Sequence, residues 1–213
     1  MPRRTTEDKI KVEDLLREEY FDILPDIRRV VWQLEAQIRC HTLPILQSLE
    51  SHEQLVVKSR LKDCESALKS LRRRQEGGTY DADKPGGYTL TDLPDLAGVR
   101  ILVFPRGRLH EVDSLLRTLF SDWAFDPVPD DAGGVLAPKY NGFCTEISHR
   151  VRAEYQIVPM LIGLFWEVEH SALYKPAPAF KGKADSEPLR KLNSDVVRVL
   201  TRFESEFEGF VRD

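Results

Sequence analysis

The stretch DLAGVRILVF, residues 95–104, decides the fold class because it holds the clearest β-strand signal of the chain. Its β-branched run from Val99 to Phe104 predicts a strand. An acid, Asp95, precedes this strand, and one charged residue, Arg100, interrupts it. In one interpretation Asp95 caps a turn and Arg100 lies on a solvated face. In the other, the acid binds a metal ion and the guanidinium binds phosphate at the edge of a sheet.

The elements around this strand follow the order helices, mixed β/α centre, helices. We therefore predict an α+β fold with a central mixed β-sheet of about four to five strands, flanked by helices and extended by helices at both termini. Pro25 is placed to open a second N-terminal helix, and Pro44 to end or kink it. The predicted elements are helices over 7–49, 109–120 and 160–174, a C-terminal helix, strands over 99–104, 123–125, 146–151 and 154–158, and loops over 76–95 and 126–140.

The C-terminal helix carries seven apolar residues in nearly a heptad stripe. Because only about three heptads are present, we interpret the stripe as intramolecular packing rather than an oligomer seam. Its members are Leu189, Leu192, Val196, Val199, Phe203, Phe207 and Phe210.

Length and composition favour one domain outside the membrane. The chain has 213 residues, 41% hydrophobic and 31% charged, and can bury one substantial core. A net charge of -4 excludes a uniformly basic nucleic-acid-binding protein. Cys40, Cys64 and Cys144 lack the spacing of a zinc site or a disulfide framework. No apolar run approaches the ~18 residues of a spanning helix, so we expect a cytoplasmic location and no membrane partner.

Basic residues are concentrated in the segment VKSRLKDCESALKSLRRR, residues 57–74. Such a charge run is most often a solvated helix face. If the segment is extended, however, Arg60 and Lys62 share one face, with Ser66 at the start of the following helix. Cations beside a helix N-terminus form a phosphate-binding arrangement. The spacing alone leaves both interpretations open.

The segment EYQI, residues 154–157, brings a second acid to the edge of a strand. Strand alternation places Glu154 and Gln156 on one face. An exposed polar strand face explains this pair as well as a functional site does. Taken with Asp95, however, Glu154 makes a metal-plus-phosphate site worth considering, because Mg2+ prefers one or two carboxylates plus phosphate oxygens.

Four motifs together resemble a known family. They are SRLKDCESALKSL (59–71), TDLPDLAGVRILVF (91–104), PKYNGF (138–143) and AEYQIVPMLIGLFWEVEHSALYK (153–175). In this order and at these separations they look like the synthetase domain of RelA/SpoT homologues. The nearest kinds are the single-domain small alarmone synthetases and the toxic enzymes derived from them.

The resemblance implies one nucleotidyltransferase-like synthetase domain over 1–213. This domain would have N-terminal helices over 1–50, a catalytic core over 55–175 and a C-terminal helix over 185–213. It also implies synthesis without degradation, because no paired His and Asp of a hydrolase region precede the core.

On the donor side, the resemblance implies that the ATP phosphates are held by the basic segment. Those residues are Arg60, Lys62, Ser66 and Lys69, with Arg100 along the nucleotide. Asp95 would ligate Mg2+, and Glu154 would be a second metal ligand or the base toward a ribose 3'-hydroxyl, with Gln156 beside it.

On the acceptor side, Lys139, Asn141 and Phe143 fall where the family binds the acceptor nucleotide and stacks its base on a ring. Phe143 keeps that ring without the family's tyrosine hydroxyl. The family histidine that follows is displaced by two residues to His149, which keeps its face if the strand there is regular. The family pattern on the next helix is matched by Glu169, His170, Tyr174 and Lys175.

The first functional hypothesis is transfer of pyrophosphate from ATP to the 3'-hydroxyl of GDP or GTP. The alternative is a toxic relative that modifies the 3'-CCA end of tRNA or uses an adenine nucleotide. The absence of basic residues from 126–138 favours that alternative, whereas the acidic net charge disfavours tRNA. A third hypothesis is a nucleotide sensor without catalysis. The sequence leaves an antitoxin protein and a second copy of the chain open as partners.

Overall fold

A five-stranded mixed β-sheet forms the centre of the molecule, which confirms the predicted α+β fold. The computed structural model describes residues 6–76, 89–130, 133–169 and 187–212. Within these residues the helices are α1 (Thr6–Gln47), α2 (Cys64–Glu76), α3 (Leu109–Leu119), α4 (Met160–Glu169) and α5 (Glu187–Arg212). The strands are β1 (Gln54–Leu61), β2 (Ala97–Phe104), β3 (Ala124–Phe125), β4 (Val128–Pro129), β5 (Val135–Ala137), β6 (Lys139–Phe143) and β7 (Arg152–Pro159).

The strand order of the main sheet is β1-β2-β7-β6-β3. Only β2 and β7 run parallel, and they form the middle of the sheet; the other pairs are antiparallel. The segments β4 and β5 form a separate hairpin. Among the helices that the structure describes, none is long and apolar enough to cross a membrane.

One face of the sheet is apolar and packs against α1 and α3. Alternate residues of the two central strands, among them Ile101, Tyr155 and Ile157, are completely buried there. The opposite face is divided. Near the ends of β2 and β7, this face belongs to a small apolar cluster beneath α4 that includes Leu102 and Val158. The rest of the face is polar.

The N-terminal region is one helix and not two, so the prediction that Pro25 opens a second helix is wrong. The helix continues through Pro25 because Ile23 and Ile27, on either side, are fully buried against the sheet. Such tertiary packing can outweigh the backbone hydrogen bond that a proline removes. The helix also passes Pro44 and ends three residues later, at Gln47.

One strand prediction and one loop prediction are wrong. The predicted strand over 146–151 is irregular: the amides of Ile147 and Ser148 both donate to the Cys144 carbonyl oxygen, at 2.9 and 3.1 Å, which closes a turn. The predicted loop over 126–140 contains the β4–β5 hairpin and the start of β6. Most of the predicted loop over 76–95 lies outside the described residues.

The heptad stripe of α5 coincides with its packing face only in part. Leu192, Val199, Phe203 and Phe210 are exposed. The contacting side is formed by Val197, Leu200 and Glu204, each one residue beyond a stripe position, and by the stripe residue Phe207. Glu204 is fully buried and accepts a hydrogen bond from the Leu161 amide, at 3.2 Å, so α5 is fixed to the start of α4.

Candidate active site

The register of the sheet aligns the predicted polar residues in rows on one face. Cross-strand partners lie on the same face of a sheet. One row crosses four strands as Lys58, Arg100, Gln156 and Lys139. The next crosses the same strands as Arg60, Gly98, Glu154 and Asn141. Residues predicted from distant motifs are thus brought together by strand pairing.

Glu154 lies in the middle of the second row in a largely buried position. Its side chain is 16% exposed, and the Gln156 side-chain amide donates to its Oε1 at 2.7 Å. The Lys139 ammonium is 4.0 Å from Oε2. Burial raises the pKa of Glu154, and the negative charge of Asp95 raises it further. A carboxylate with a raised pKa is suited to accept a proton.

Asp95 lies just before β2 and is ion-paired with Lys62. The Lys62 ammonium also donates to Ser70 Oγ at 3.1 Å, and Lys62 is only 5% exposed. Burial lowers the pKa of Lys62, while the charge of Asp95 opposes that effect. This ion pair holds the Asp95 carboxylate against the sheet edge.

The two acids fit a magnesium site that is completed by substrate. Asp95 Oδ1 is buried without a hydrogen-bond partner in the described part of the chain. Its charge acts on Glu154, so the two carboxylates share one electrostatic environment. Within the described ranges no group of three or more His, Cys, Asp or Glu residues forms a complete metal site. Two carboxylates with phosphate oxygens as further ligands is the arrangement that Mg2+ favours.

A cleft of about 630 Å³ opens between this polar face and α4. Arg60, Arg100 and Glu154 line it from the sheet, and Trp166 and Glu167 from α4. We call this space the donor cleft. Its position between a cationic sheet face and an aromatic helix residue fits a nucleotide with phosphates.

Arg100 is held in the donor cleft by contacts on two sides. Its guanidinium donates to Gln156 Oε1 at 3.3 Å and lies 5.9 Å from the centre of the Trp166 ring. Burial lowers the pKa of Arg100, although a guanidinium stays charged at neutral pH. The same Gln156 bonds Glu154, so arginine, amide and carboxylate form one connected chain.

Ser66 and Lys69 do not line the donor cleft themselves, although Asp63, which Ser66 contacts, does. Ser66 is in the first turn of α2, where its amide donates to Asp63 Oδ1 at 2.9 Å and its hydroxyl donates to Oδ2 at 2.7 Å. Asp63 therefore caps the helix. Lys69 is exposed on the same helix. The assignment of both residues to ATP phosphates stays a prediction.

The predicted acceptor residues of β6 share the polar face. Asn141 lies directly opposite Glu154, and Lys139 pairs with Asp126 at 2.6 Å. Phe143 lies opposite Arg152, whose guanidinium carbon is 5.2 Å from the ring centre. The ring is thus two residues along β6 from Asn141 and from the row that contains Glu154.

The remaining residues predicted to bind the acceptor do not lie together in the described part of the chain. Because the chain around His149 is not a regular strand, the histidine is not carried to the face of Glu154; it lines a separate cavity together with Phe143. Glu169 lines the donor cleft and accepts a hydrogen bond from the Asn193 amide at 2.6 Å. His170, Tyr174 and Lys175 lie outside the described residues.

Sequence reasoning missed several residues of the site. Lys58 and Trp166 were not identified, although both line the donor cleft. Lys58, Arg60 and Lys62 are spaced two residues apart. Once β1 is identified as a strand, this spacing places Lys58 and Arg60 on the same face. Trp166 was read as part of an apolar helix.

Comparison with known proteins gives structural relatives only. Neither a protein-family model nor a curated protein matches the sequence. The small alarmone synthetase 1 from Bacillus subtilis, bound to AMPCPP, is 20% identical, with a TM-score of 0.63 over 92% of this chain and 99% of that chain. Bound to its product pppGpp, the same protein gives a TM-score of 0.64 over 92% and 100%. A GTP pyrophosphokinase family protein from Streptococcus pneumoniae is 22% identical, with a TM-score of 0.61 over 90% and 92%. The likeness covers nearly the whole length of each protein, and the chain therefore has the fold of the small alarmone synthetases.

Proposed function

We propose that the protein transfers the β,γ-pyrophosphate group of ATP to the 3'-hydroxyl of GDP or GTP. The observation that carries this proposal is the pairing of Glu154 with Asn141, beside a donor cleft that contains Arg60 and Arg100. This arrangement provides a buried carboxylate for the acceptor hydroxyl and cations for the donor phosphates on one sheet face.

The transfer requires few covalent roles from the protein. Glu154 accepts the proton of the acceptor 3'-hydroxyl, whose oxygen bonds to the β-phosphorus of ATP. The bond between the β-phosphorus and the oxygen bridging it to the α-phosphorus breaks, and AMP leaves. Such reactions depend mainly on positioning and on electrostatic stabilisation of the transferred group.

The remaining residues position the donor and balance its charge. Arg60 and Arg100 contact the bound ATP, and Lys62 keeps Asp95 oriented toward the site. Asp95 and Glu154 would hold Mg2+, which when bound neutralises negative charge on the phosphates. The raised pKa of Glu154 supports its role as a base.

The comparisons support the same reaction by analogy. The synthetase from Bacillus subtilis binds AMPCPP, an ATP analogue, and its product pppGpp. A ring at Phe143 offers a surface on which the acceptor base stacks, and stacking contributes about 1–3 kcal/mol per base in nucleic-acid complexes.

An acceptor assay tests this function. Purified protein is incubated with ATP labelled in the γ-phosphate and with GDP, GTP, unlabelled ATP or deacylated tRNA. We expect label on GDP and GTP, and loss of transfer in the Glu154→Gln and Asp95→Asn variants. Label on tRNA alone contradicts the proposal and favours the toxic alternative. Unchanged nucleotide turnover in both variants contradicts catalysis at this site and favours a sensor.

A further inference from the structure

A second cavity of about 810 Å³ lies beside the acceptor strand and contains several arginines. Arg74 reaches it from the last turn of α2, Arg150 from the turn before β7, and Arg152 from the first position of β7. Phe143 and His149 complete this side of the cavity. We call it the arginine cavity.

The arginine cavity is lined by three arginines and two acids. Its acidic lining residues are Glu19 and Asp92. Glu19 accepts hydrogen bonds from the Leu90 amide at its two carboxylate oxygens, at 3.1 and 3.2 Å. Arg74 and Arg152 have no carboxylate within ion-pair distance in the ranges that the structure describes. Both residues line the cavity, and guanidinium groups bind anionic phosphates well.

Arg150, the third arginine, is held in place by contacts of the turn before β7. The Arg150 amide donates to Ser148 Oγ at 3.1 Å, and its guanidinium is 2.7 Å from Asp22. Ser148 is itself buried and donates to Asp26 at 3.4 Å. These contacts give the irregular segment before β7 a defined conformation, so that it presents charge to the cavity.

The arginine cavity adjoins the acceptor residues in a way that suits one nucleotide. Arg152 lies opposite Phe143 and covers one face of its ring. Glu154 is two residues farther along β7 on the same face, a separation of about 7 Å along the strand. A base on the ring, a 3'-hydroxyl at Glu154 and 5'-phosphates at the arginines thus lie within the span of one nucleotide.

We propose that the arginine cavity binds the 5'-phosphates of a nucleoside diphosphate or triphosphate acceptor, through Arg74 and Arg152. This inference rests on the proposed function and specifies its acceptor. Residues 126–138 contain no basic residue that could bind the acceptor phosphates, and cations from α2 and β7 bind them instead. The size of the cavity and its few cations favour a compact polyphosphate over an extended RNA backbone.

Binding measurements test the proposal without requiring transfer. Calorimetric affinities of the full chain for guanosine and GDP are measured with AMPCPP present. We expect GDP to bind at least tenfold more tightly than guanosine. Arg74→Ala and Arg152→Lys should each reduce GDP affinity about tenfold and change guanosine affinity less than threefold. Arg72→Ala is the matched control, because Arg72 lies on the same helix but pairs with Glu13 and is absent from the cavity.

The outcomes separate this inference from the proposed function. Equal losses for guanosine and GDP, or an unchanged GDP advantage in both variants, overturn the phosphate site. Binding of deacylated tRNA without binding of GDP overturns it as well. If the GDP advantage is lost in the variants while the wild type transfers nothing, the phosphate site stands and the transfer reaction is wrong. Arg74 lies at a helix end, so its variant tests the site even if Arg152→Lys disturbs β7.

Discussion

Lys58 forms a two-point ion pair with Glu167, with its ammonium 3.0 and 2.9 Å from the two carboxylate oxygens. Lys58 belongs to β1 and Glu167 to α4, and both line the donor cleft. The pair therefore links the sheet to the helix across the space assigned to ATP. Both side chains are about 40% exposed, so the ion pair adds little stability, roughly 0–1 kcal/mol.

We expect substitutions of Lys58 and Glu167 to change donor affinity in opposite directions. Lys58→Met removes a cation and should weaken AMPCPP binding three- to tenfold. Glu167→Gln frees the lysine for phosphate and should strengthen binding by a similar factor. Titration of AMPCPP with calorimetric detection measures both. In the Lys58→Met background, Glu167→Gln should have little further effect. A loss of affinity in both single variants indicates a purely structural link.

Lys62 should be more important for stability than Lys58, because its side chain is only 5% exposed where it pairs with Asp95. Lys62→Met leaves the Asp95 carboxylate without its cation and should lower the free energy of unfolding by about 3 kcal/mol in urea denaturation. Asp95→Asn in the same chain should restore part of this loss, because the uncompensated charge is gone. Transfer activity should be lost in both single variants and in the double variant. Restored activity in the double variant contradicts the assigned role of Asp95.

Glu204 gives the protein a pH-dependent stability. Burial raises the pKa of this carboxyl from 4.5 to about 7. Because the native state binds the proton more tightly than the unfolded chain, its contribution is fully present below pH 4.5 and is lost as the pH rises through 7. Glu204→Gln removes this dependence while the amide oxygen still accepts from the Leu161 amide.

The Glu204→Gln variant should therefore gain stability relative to the wild type between pH 5 and pH 7.5. The expected relative gain is about 2 kcal/mol, measured by urea denaturation at both pH values. Glu206→Gln is the matched control, since Glu206 is exposed on the same helix. A stability difference that is independent of pH contradicts the raised pKa.

Phe143 should determine acceptor affinity and leave donor affinity unchanged. Phe143→Ala removes the stacking surface and should raise the KM for GDP about tenfold, with the KM for ATP altered less than twofold. Phe143→Tyr keeps the ring and should retain most of the activity. Steady-state kinetics with each substrate varied in turn measures both effects. An equal rise in both KM values in Phe143→Ala contradicts the separation of the two subsites.

Periodicity predicted the buried parts of the fold and failed where polar residues form strands. The strands around Ile101 and Ile157 are apolar on the core face, so their type was clear. In β1, by contrast, Lys58 and Arg60 face the cleft and read as part of a charged helix. The segment 146–151 does not form the predicted strand, and the backbone bonds to Cys144 and the side-chain bonds of Ser148 that hold its turn leave no periodic signal.

The same distinction applies to the site. Asp95 and Glu154 each adjoin an obvious strand, so their sequence context marks them. The arginine cavity, however, is assembled from Arg74, Arg150 and Arg152, which belong to segments far apart in the chain or to an irregular turn. Only the three-dimensional structure shows that these cations face one space.

The most direct test of the central claim is transfer of labelled pyrophosphate to GDP compared with 3'-deoxy-GDP. The reaction contains γ-labelled ATP and either wild-type protein or the Glu154→Gln variant. We predict labelled product from GDP only, and a rate roughly 10²–10⁴-fold lower in the variant. Label on 3'-deoxy-GDP, or an equal rate in the variant, contradicts transfer to a 3'-hydroxyl activated by Glu154.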